Sequence, residues 1–467
     1  MMITFIIAAI LLFAFVLIST ENLTNVNRAA VAIFAGTVGW MLYVSWGADF
    51  ITEWHPEEYL AFLNGATPDA DSAKLFIAQE VFLKYVGRAA EIVLFLLATM
   101  TIVEILNNNG CFDYITQWAK TRNSRLLLWR LTAATFLISA NLDNVTTTVM
   151  MLVIMREMVS NRKQRLVYGS AVVIAANAGG ALTVIGDPSG LVLWNMGAVT
   201  ASNFSFSLLI PCLVACAVPV YLLGRTLPER VDIQWVPMPY RGDDTNLNLW
   251  QRLLMLLVGI GGLWFIPSFH HITKLSPFIG ALCVLSVLWV VNEVFNRKLM
   301  DVDKMSQRRM PRVLQYGVIQ MMLFVLGIML AIGAVQETGA IKWLADAYDE
   351  QLHSPWILGV VAGGVSCVLD NFATAMTFFS FHTVNEVSAN GLMEPFVQNG
   401  EYWKIIAYVT ALGGNTLIIG SLSGIAWMKM ENVRMGWFFR NVGWRALVGA
   451  LIGLATLYFT ADWHFTL

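Results

Sequence analysis

Charge is what this sequence is shortest of. Its 467 residues include only 29 Lys and Arg and 31 Asp and Glu, against 57% hydrophobic residues. That balance excludes an ordinary soluble domain of this size, and no stretch reads as a nucleic-acid motif. Residues 1–20 carry no charge. The runs 2–18 (MITFIIAAILLFAFVLI), 91–103 (EIVLFLLATMTIV) and 446–459 (ALVGALIGLATLYF) belong to segments long enough to cross a bilayer core, which takes about 20 residues of helix. They lack the alternation of barrel strands, and hydrocarbon demands that the backbone satisfy itself, so helices are predicted. Cysteine is also scarce: Cys111, Cys212, Cys216, Cys283 and Cys367. Cys212 and Cys216 lie one helical turn apart with no histidine or further cysteine near them, which favours packing over metal binding. The start lacks a basic leading region and an A-x-A-like cleavage site, so it reads as a retained helix rather than a signal peptide. The fold class expected is an all-α polytopic membrane protein, with no resident cofactor and no enzymatic activity.

What is present is repetition. SANLDNVTTTVMM (139–151) and SCVLDNFATAMTF (366–378) share Ser-x-x-Leu-Asp-Asn-x-x-Thr. GGALTVIGDPSG (179–190) and GGNTLIIGSLSG (413–424) share Gly-Gly-x4-Ile-Gly-x2-Ser-Gly. A weaker pair joins 100–119 to 329–348. The offsets are 229, 227 and 234 residues (100 to 329, 139 to 366, 179 to 413), in the same order along the chain. The organisation expected is an N-terminal span (1–24), a first repeat (25–225), a cytoplasmic linker (226–249) and a second repeat (250–467).

Charge placement orients the halves. Residues 49–80 hold Asp49, Glu53, Glu57, Glu58, Asp69, Asp71 and Glu80 against Lys74 alone, and are placed outside. Lys120, Arg122, Arg125 and Arg130 precede the first LDN segment, and Arg156, Arg162, Lys163 and Arg165 follow it. Both flanks are inside signatures, so about 124–160 should enter and leave on one side as a re-entrant hairpin. In the second half 296–312 is basic, whereas Asp346, Asp349, Glu350, Glu386, Glu394 and Glu401 flank the hairpin at 355–381, an outside signature. The repeats are therefore inverted, with about ten full spans plus two hairpins and both termini on the periplasmic side. Glycines and Pro188 break the helices expected at about 166–200 and 402–434. Irregular backbone at membrane depth lines a cavity or is covered by protein, and paired breaks in two halves point to a transporter's central site.

The candidate ion- and proton-binding residues are Asp143, Asn144, Thr146, Thr147, Asn177, Asp187 and Ser189 in the first half. In the second they are Ser366, Asp370, Asn371, Thr374, Ser421 and Ser423; Thr183, Asn415 and Thr416 lie in the same segments. Oxygen ligands suit hard cations. A charged aspartate near the bilayer centre costs roughly 2.5–3.5 kcal/mol, so it is seldom placed there without use. Such a carboxylate holds either H+ or Na+, and that competition, with alternating access, suffices for antiport. Asp187 aligns with Ser421, which marks the first half as the one that ionises. Helix capping is an alternative role for the aspartates, and close helix packing one for the glycines. Glu91 and Glu104 are candidate coupling residues; Glu91 stands three after Arg88, at ion-pair spacing. Arg130 reads as a carboxylate partner or a snorkelling side chain.

NLDNVTTT with N-x-GG-x4-IGDPSG, followed by a second LDN and a second GG-x4-IG-x2-SG, resembles the NhaD-type sodium/proton antiporters of the ion-transporter superfamily. The resemblance covers nearly the whole chain. It implies Na+ and Li+ efflux in exchange for H+ across a bacterial inner membrane, pH homeostasis, and a lipid-embedded homodimer with a scaffold and a moving transport domain. Its site residues fall here on Asp143, Asn144, Thr146, Thr147, Asn177, Asp187, Ser366, Asn371, Ser421 and Ser423, with Na+ expected at Asp143, Asn144, Asp187 and Asn371. The superfamily also holds divalent-anion/sodium symporters and arsenite carriers. The symporter branch typically has Ser-Asn-Thr at the hairpin tips, where this chain has Asp-Asn. A sodium-coupled di- or tricarboxylate symporter, an arsenite or oxyanion extruder, and a channel or receptor without coupled transport are the rival readings.

Overall fold

The computed structural model describes residues 2–231, 247–296, 312–351, 354–384 and 395–460. Most of the 226–249 linker, nearly all of the basic run 296–312, and Glu386 and Glu394 lie outside the described residues. Those described form helices and turns, and an isolated antiparallel bridge joins Asn123 to Arg230.

Three long helices precede the first hairpin: α1 (Met2–Ser19), α2 (Arg28–Ser45) and α3 (Leu83–Asn108). The hairpin is α4 (Ser124–Ser139) and α5 (Asn144–Met158). The broken helix is α6 (Arg162–Gly180) and α7 (Pro188–Asn195), followed by α8 (Ala201–Gly224). The second half repeats this order: α9 (Gly262–Thr273), α10 (Pro277–Asn296) and α11 (Arg312–Glu337), then the hairpin α12 (Pro355–Ser366) and α13 (Asn371–Phe379), then α14 (Glu401–Leu417), α15 (Leu422–Glu431) and α16 (Trp444–Thr460). Short helices Gly47–Trp54 and Pro56–Leu63 occupy the acidic segment before α3.

Among the described residues, 9 helical segments are long and apolar enough to cross a membrane. The tenth expected span is α6–α7: α6 has 19 residues but begins with the polar, basic run RKQR, and seven non-helical residues (181–187) part it from the short, apolar α7. The hairpin arms have 16, 15, 12 and 9 residues. At about 1.5 Å per residue they reach roughly 24, 22, 18 and 14 Å, short of the ~30 Å hydrocarbon core. An arm that ends inside the membrane must turn there, as the flanking charges predict.

Packing divides the helices into two bodies. In one, α2 lies along α11, α3 against α10 and α11, α1 against α2, and α9 against α10. In the other, α6 packs on α4 and α5, α14 on α12 and α13, α8 along α16, and α5 on α15. The bodies meet where α13 touches α11 and α7 touches α3. Cys212 and Cys216 are buried free thiols on α8, packing residues as expected.

Candidate ion-binding site

Four helices end and four begin around one junction. In the first half α4 stops at Ser139 and α5 starts at Asn144, while α6 stops at Gly180 and α7 starts at Pro188. The second half does the same at Ser366, Asn371, Leu417 and Leu422. The Ser139 hydroxyl donates to the Ala176 carbonyl at 2.6 Å, and Ser366 donates to the Thr410 carbonyl at 2.6 Å. These matched bonds hold each hairpin against its broken helix. Gly186 and Gly420 complete the join: a Cβ on Gly186 would stand 2.6 Å from the Ser139 carbonyl oxygen, and one on Gly420 would overlap the Ser366 carbonyl. The second break also contains Ile418 in the left-handed region (φ 67), a costly backbone for a β-branched residue.

Each aspartate of the repeats caps a helix with one oxygen and turns the other elsewhere. Asp143 Oδ2 accepts from the Thr146 N–H at 2.9 Å and its hydroxyl at 3.0 Å, whereas Oδ1 is buried with no hydrogen-bond partner among the described residues. Asp187 Oδ1 accepts from the Ser189 N–H at 2.9 Å and hydroxyl at 2.7 Å. Its Oδ2 accepts from Asn144 Nδ2 at 2.9 Å and from Asn371 Nδ2 at 3.2 Å. One carboxylate oxygen thus holds the asparagines of both hairpin tips, and the hairpins meet tip to tip. Asp370 Oδ1 accepts from the Phe372 N–H at 3.0 Å, and its Oδ2 faces Arg28 Nη1 at 3.3 Å. Asp143, Asp187 and Asp370 are 4%, 3% and 3% exposed, so each is sealed from bulk water.

A second cluster joins the two breaks. Asn177 Nδ2 donates to Asn415 Oδ1 at 2.7 Å and to Ser421 Oγ at 2.9 Å. Ser421, where the first half has Asp187, caps α15 by accepting from the Gly424 N–H at 3.0 Å. Asn177 Oδ1, Thr147 Oγ1 and Ser423 Oγ are buried without a hydrogen-bond partner among the described residues. Buried oxygens of this kind ordinarily find a donor or a cation, and hard cations are what such a donor set suits.

Residues 1–413 match the family model described as citrate transporter. The chain belongs to that family. It is 31% identical over 371 residues to "Sodium/proton antiporter 2" of Arabidopsis thaliana, covering 79% of this chain and 85% of the relative. It is 32% identical over 384 residues to "Sodium/proton antiporter 1" of the same plant, covering 81% of this chain and 63% of that longer relative. "Na(+)/H(+) antiporter NhaD" of Vibrio parahaemolyticus is 25% identical over 391 residues, covering 77% of this chain and 87% of the relative. Family and relatives are transporters, not enzymes, and the NhaD-type resemblance read from the motifs agrees with them.

In this family member not every predicted residue faces the junction in the same way. The Ser366 hydroxyl is committed to a backbone carbonyl, and the Thr374 hydroxyl donates to the Asp370 carbonyl at 3.0 Å. Thr146 and Ser189 serve the aspartates that precede them. Glu91 lies on α3 and accepts from Asn195 Nδ2 at the end of α7 at 3.1 Å. Among the described residues it makes no ion pair with Arg88, whose guanidinium instead lies 6.0 Å over the Tyr85 ring. Glu104 sits half-buried further along α3. Arg130 donates to the Trp118 carbonyl at 2.9 Å and the Lys120 carbonyl at 3.3 Å, so its partners are helix-end carbonyls rather than a carboxylate.

Sequence reasoning passed over Ser139, the twin of Ser366, although it opens the repeated motif. It also missed Arg28. The only signal was a lone arginine between the uncharged residues 1–20 and an apolar helix.

Proposed function

We propose that this transporter exchanges intracellular Na+, and Li+, for external H+, with the two ions competing for the carboxylates of Asp143 and Asp187. The observation that carries this reading is the junction itself. It holds a buried aspartate oxygen with no partner among the described residues, and a second aspartate tied to both hairpin tips. Na+ is assigned to Asp143, Asn144, Asp187 and Asn371. The names of the relatives supply the ions, and the oxygen-rich, histidine-free junction fits a hard cation. Alternating access would follow from movement of the hairpin body against the other body. The charge pattern supports inverted repeats with both termini on the outer face, and the resemblance supports a bacterial inner membrane and a homodimer.

The test uses proteoliposomes holding an acid interior and a pH-sensitive dye. NaCl, LiCl, KCl and citrate are added in turn. Collapse of the gradient by Na+ or Li+ alone supports the reading. Silence to every cation, together with Na+-driven uptake of labelled citrate, replaces it with the symporter reading that the family description favours.

A further inference from the structure

Two ion pairs cross from the α2–α11 body to the hairpin body, and they are linked through one glutamate. Arg28 is the first residue of α2. Its Nε and Nη2 each lie 2.6 Å from Glu21 Oε2, and its Nη1 reaches Asp370 Oδ2 at 3.3 Å. The guanidinium also lies 5.7 Å over the Phe324 ring of α11. The other oxygen of Glu21 stands 3.6 Å from Lys429 Nζ on α15. Arg28 is 8% and Asp370 3% exposed, so their contact is largely desolvated. At the first tip the corresponding free oxygen, Asp143 Oδ1, has no donor among the described residues.

The two tips are equivalent by sequence, yet among the described residues the Asp370 carboxylate has a cationic partner and the Asp143 carboxylate has none. A guanidinium and a Na+ compete for one carboxylate oxygen, because two like charges repel each other strongly in a desolvated site. Arg28 belongs to one body and Asp370 to the other, so displacing it also removes a bond across the seam. Glu21 competes for the same guanidinium and thereby sets how firmly Arg28 holds the tip.

We propose that Arg28 is a tethered counter-cation that latches the second hairpin tip to the α2–α11 body, and that Na+ arriving at Asp370 must displace it. The inference rests on the exchange reading above. Arg28 is a positioning residue here: it tunes ion occupancy of Asp370 without itself being carried.

The experiment measures the Na+ concentration that gives half-maximal dye response in proteoliposomes, alongside Na+-induced thermal stabilisation of the purified full chain. R28Q removes the competitor and is expected to lower that concentration roughly threefold to tenfold, within the lower part of the range of coupling between contacting groups. E21Q frees Arg28 to bind Asp370 more tightly and is expected to raise it. R28K keeps the charge and should stay near wild type. In a D370N background R28Q should produce no further shift. Opposite signs for R28Q and E21Q are not what loss of a purely structural contact gives. An unchanged or raised requirement in folded R28Q, or an equal shift with and without Asp370, overturns the latch. If R28Q does not fold, E21Q decides: an unchanged or lowered requirement overturns it. A wild type that answers to neither Na+ nor Li+ overturns the exchange reading first, which is a separate outcome.

Discussion

The two hairpin tips carry the same Leu-Asp-Asn and the same serine bond to a neighbouring broken helix, yet they are not chemically equal. At the first, Asp143 has a buried oxygen with no hydrogen-bond partner among the described residues, and Asp187 holds the adjoining Asn144. At the second, Asp370 is matched to Arg28, and the place of Asp187 is taken by Ser421. The repeated backbone serves both halves as a frame, while the ionisable groups collect on one side of it. Two like frames therefore carry different acids: Asp143 and Asp187 in the first half, and in the second Asp370 matched to Arg28.

The comparison breaks most decisively on the carboxylates. On the exchange reading proposed above, D143N and D187N are expected to bring Na+-dependent dye response to background, below about one hundredth of wild type, because each removes a carboxylate for which the two ions would compete. D370N should leave a measurable rate, down about tenfold, since its carboxylate is already matched to an arginine. Equal loss in all three would show the halves to be functionally alike. Next come the glycines. G420A and G186A should each destabilise by about 1–3 kcal/mol through overpacking, G420A more, read as thermal midpoints in detergent.

The serines sharpen the symmetric side. S139A and S366A each remove one buried hydrogen bond, so each should cost about 1 kcal/mol and the two should match. A large inequality would mean that one hairpin leans on its broken helix more than the other. The smallest effect lies away from both tips, at His55 between the short helices. Its Nε2 meets Glu337 at 2.8 Å and its Nδ1 meets Glu58 at 3.0 Å. The hydrogen bond to Glu337 raises the His55 pKa above 6.5, against the opposing effect of burial. A raised histidine contributes stability that is fully present below its unfolded pKa and is lost as pH rises through the folded one. The thermal advantage of wild type over H55Q should therefore be greatest below about pH 6.5 and shrink in alkali. An advantage that grows with pH would mean that His55 is held neutral.

Much of this was legible in one chain. The LDN and GG-x4-IG segments announced themselves by recurring, and their glycines and serines have the paired roles that recurrence suggests. Capping and ion binding stood as alternatives for the aspartates, but a carboxylate has two oxygens. Each cap consumes one and leaves the other for a different contact. What the sequence concealed is long-range pairing. Arg28 and Asp370 are 342 residues apart, and nothing local to either predicts the other. Arg88 and Glu91 have helix spacing in their favour, yet no ion pair joins them among the described residues: Glu91 accepts from Asn195, and Arg88 lies over the Tyr85 ring.

The single oxygen Asp187 Oδ2 has a further consequence. It receives amide protons from Asn144 and Asn371, one from each half of the molecule. Hydrogen bonds to a charged acceptor are worth about 1.5–3 kcal/mol each. Any cation seated on that oxygen, a proton included, contends with both amides at once. The atom therefore works as a joint vote: whatever occupies it is felt by the first and second hairpins together, and neither tip can be informed alone.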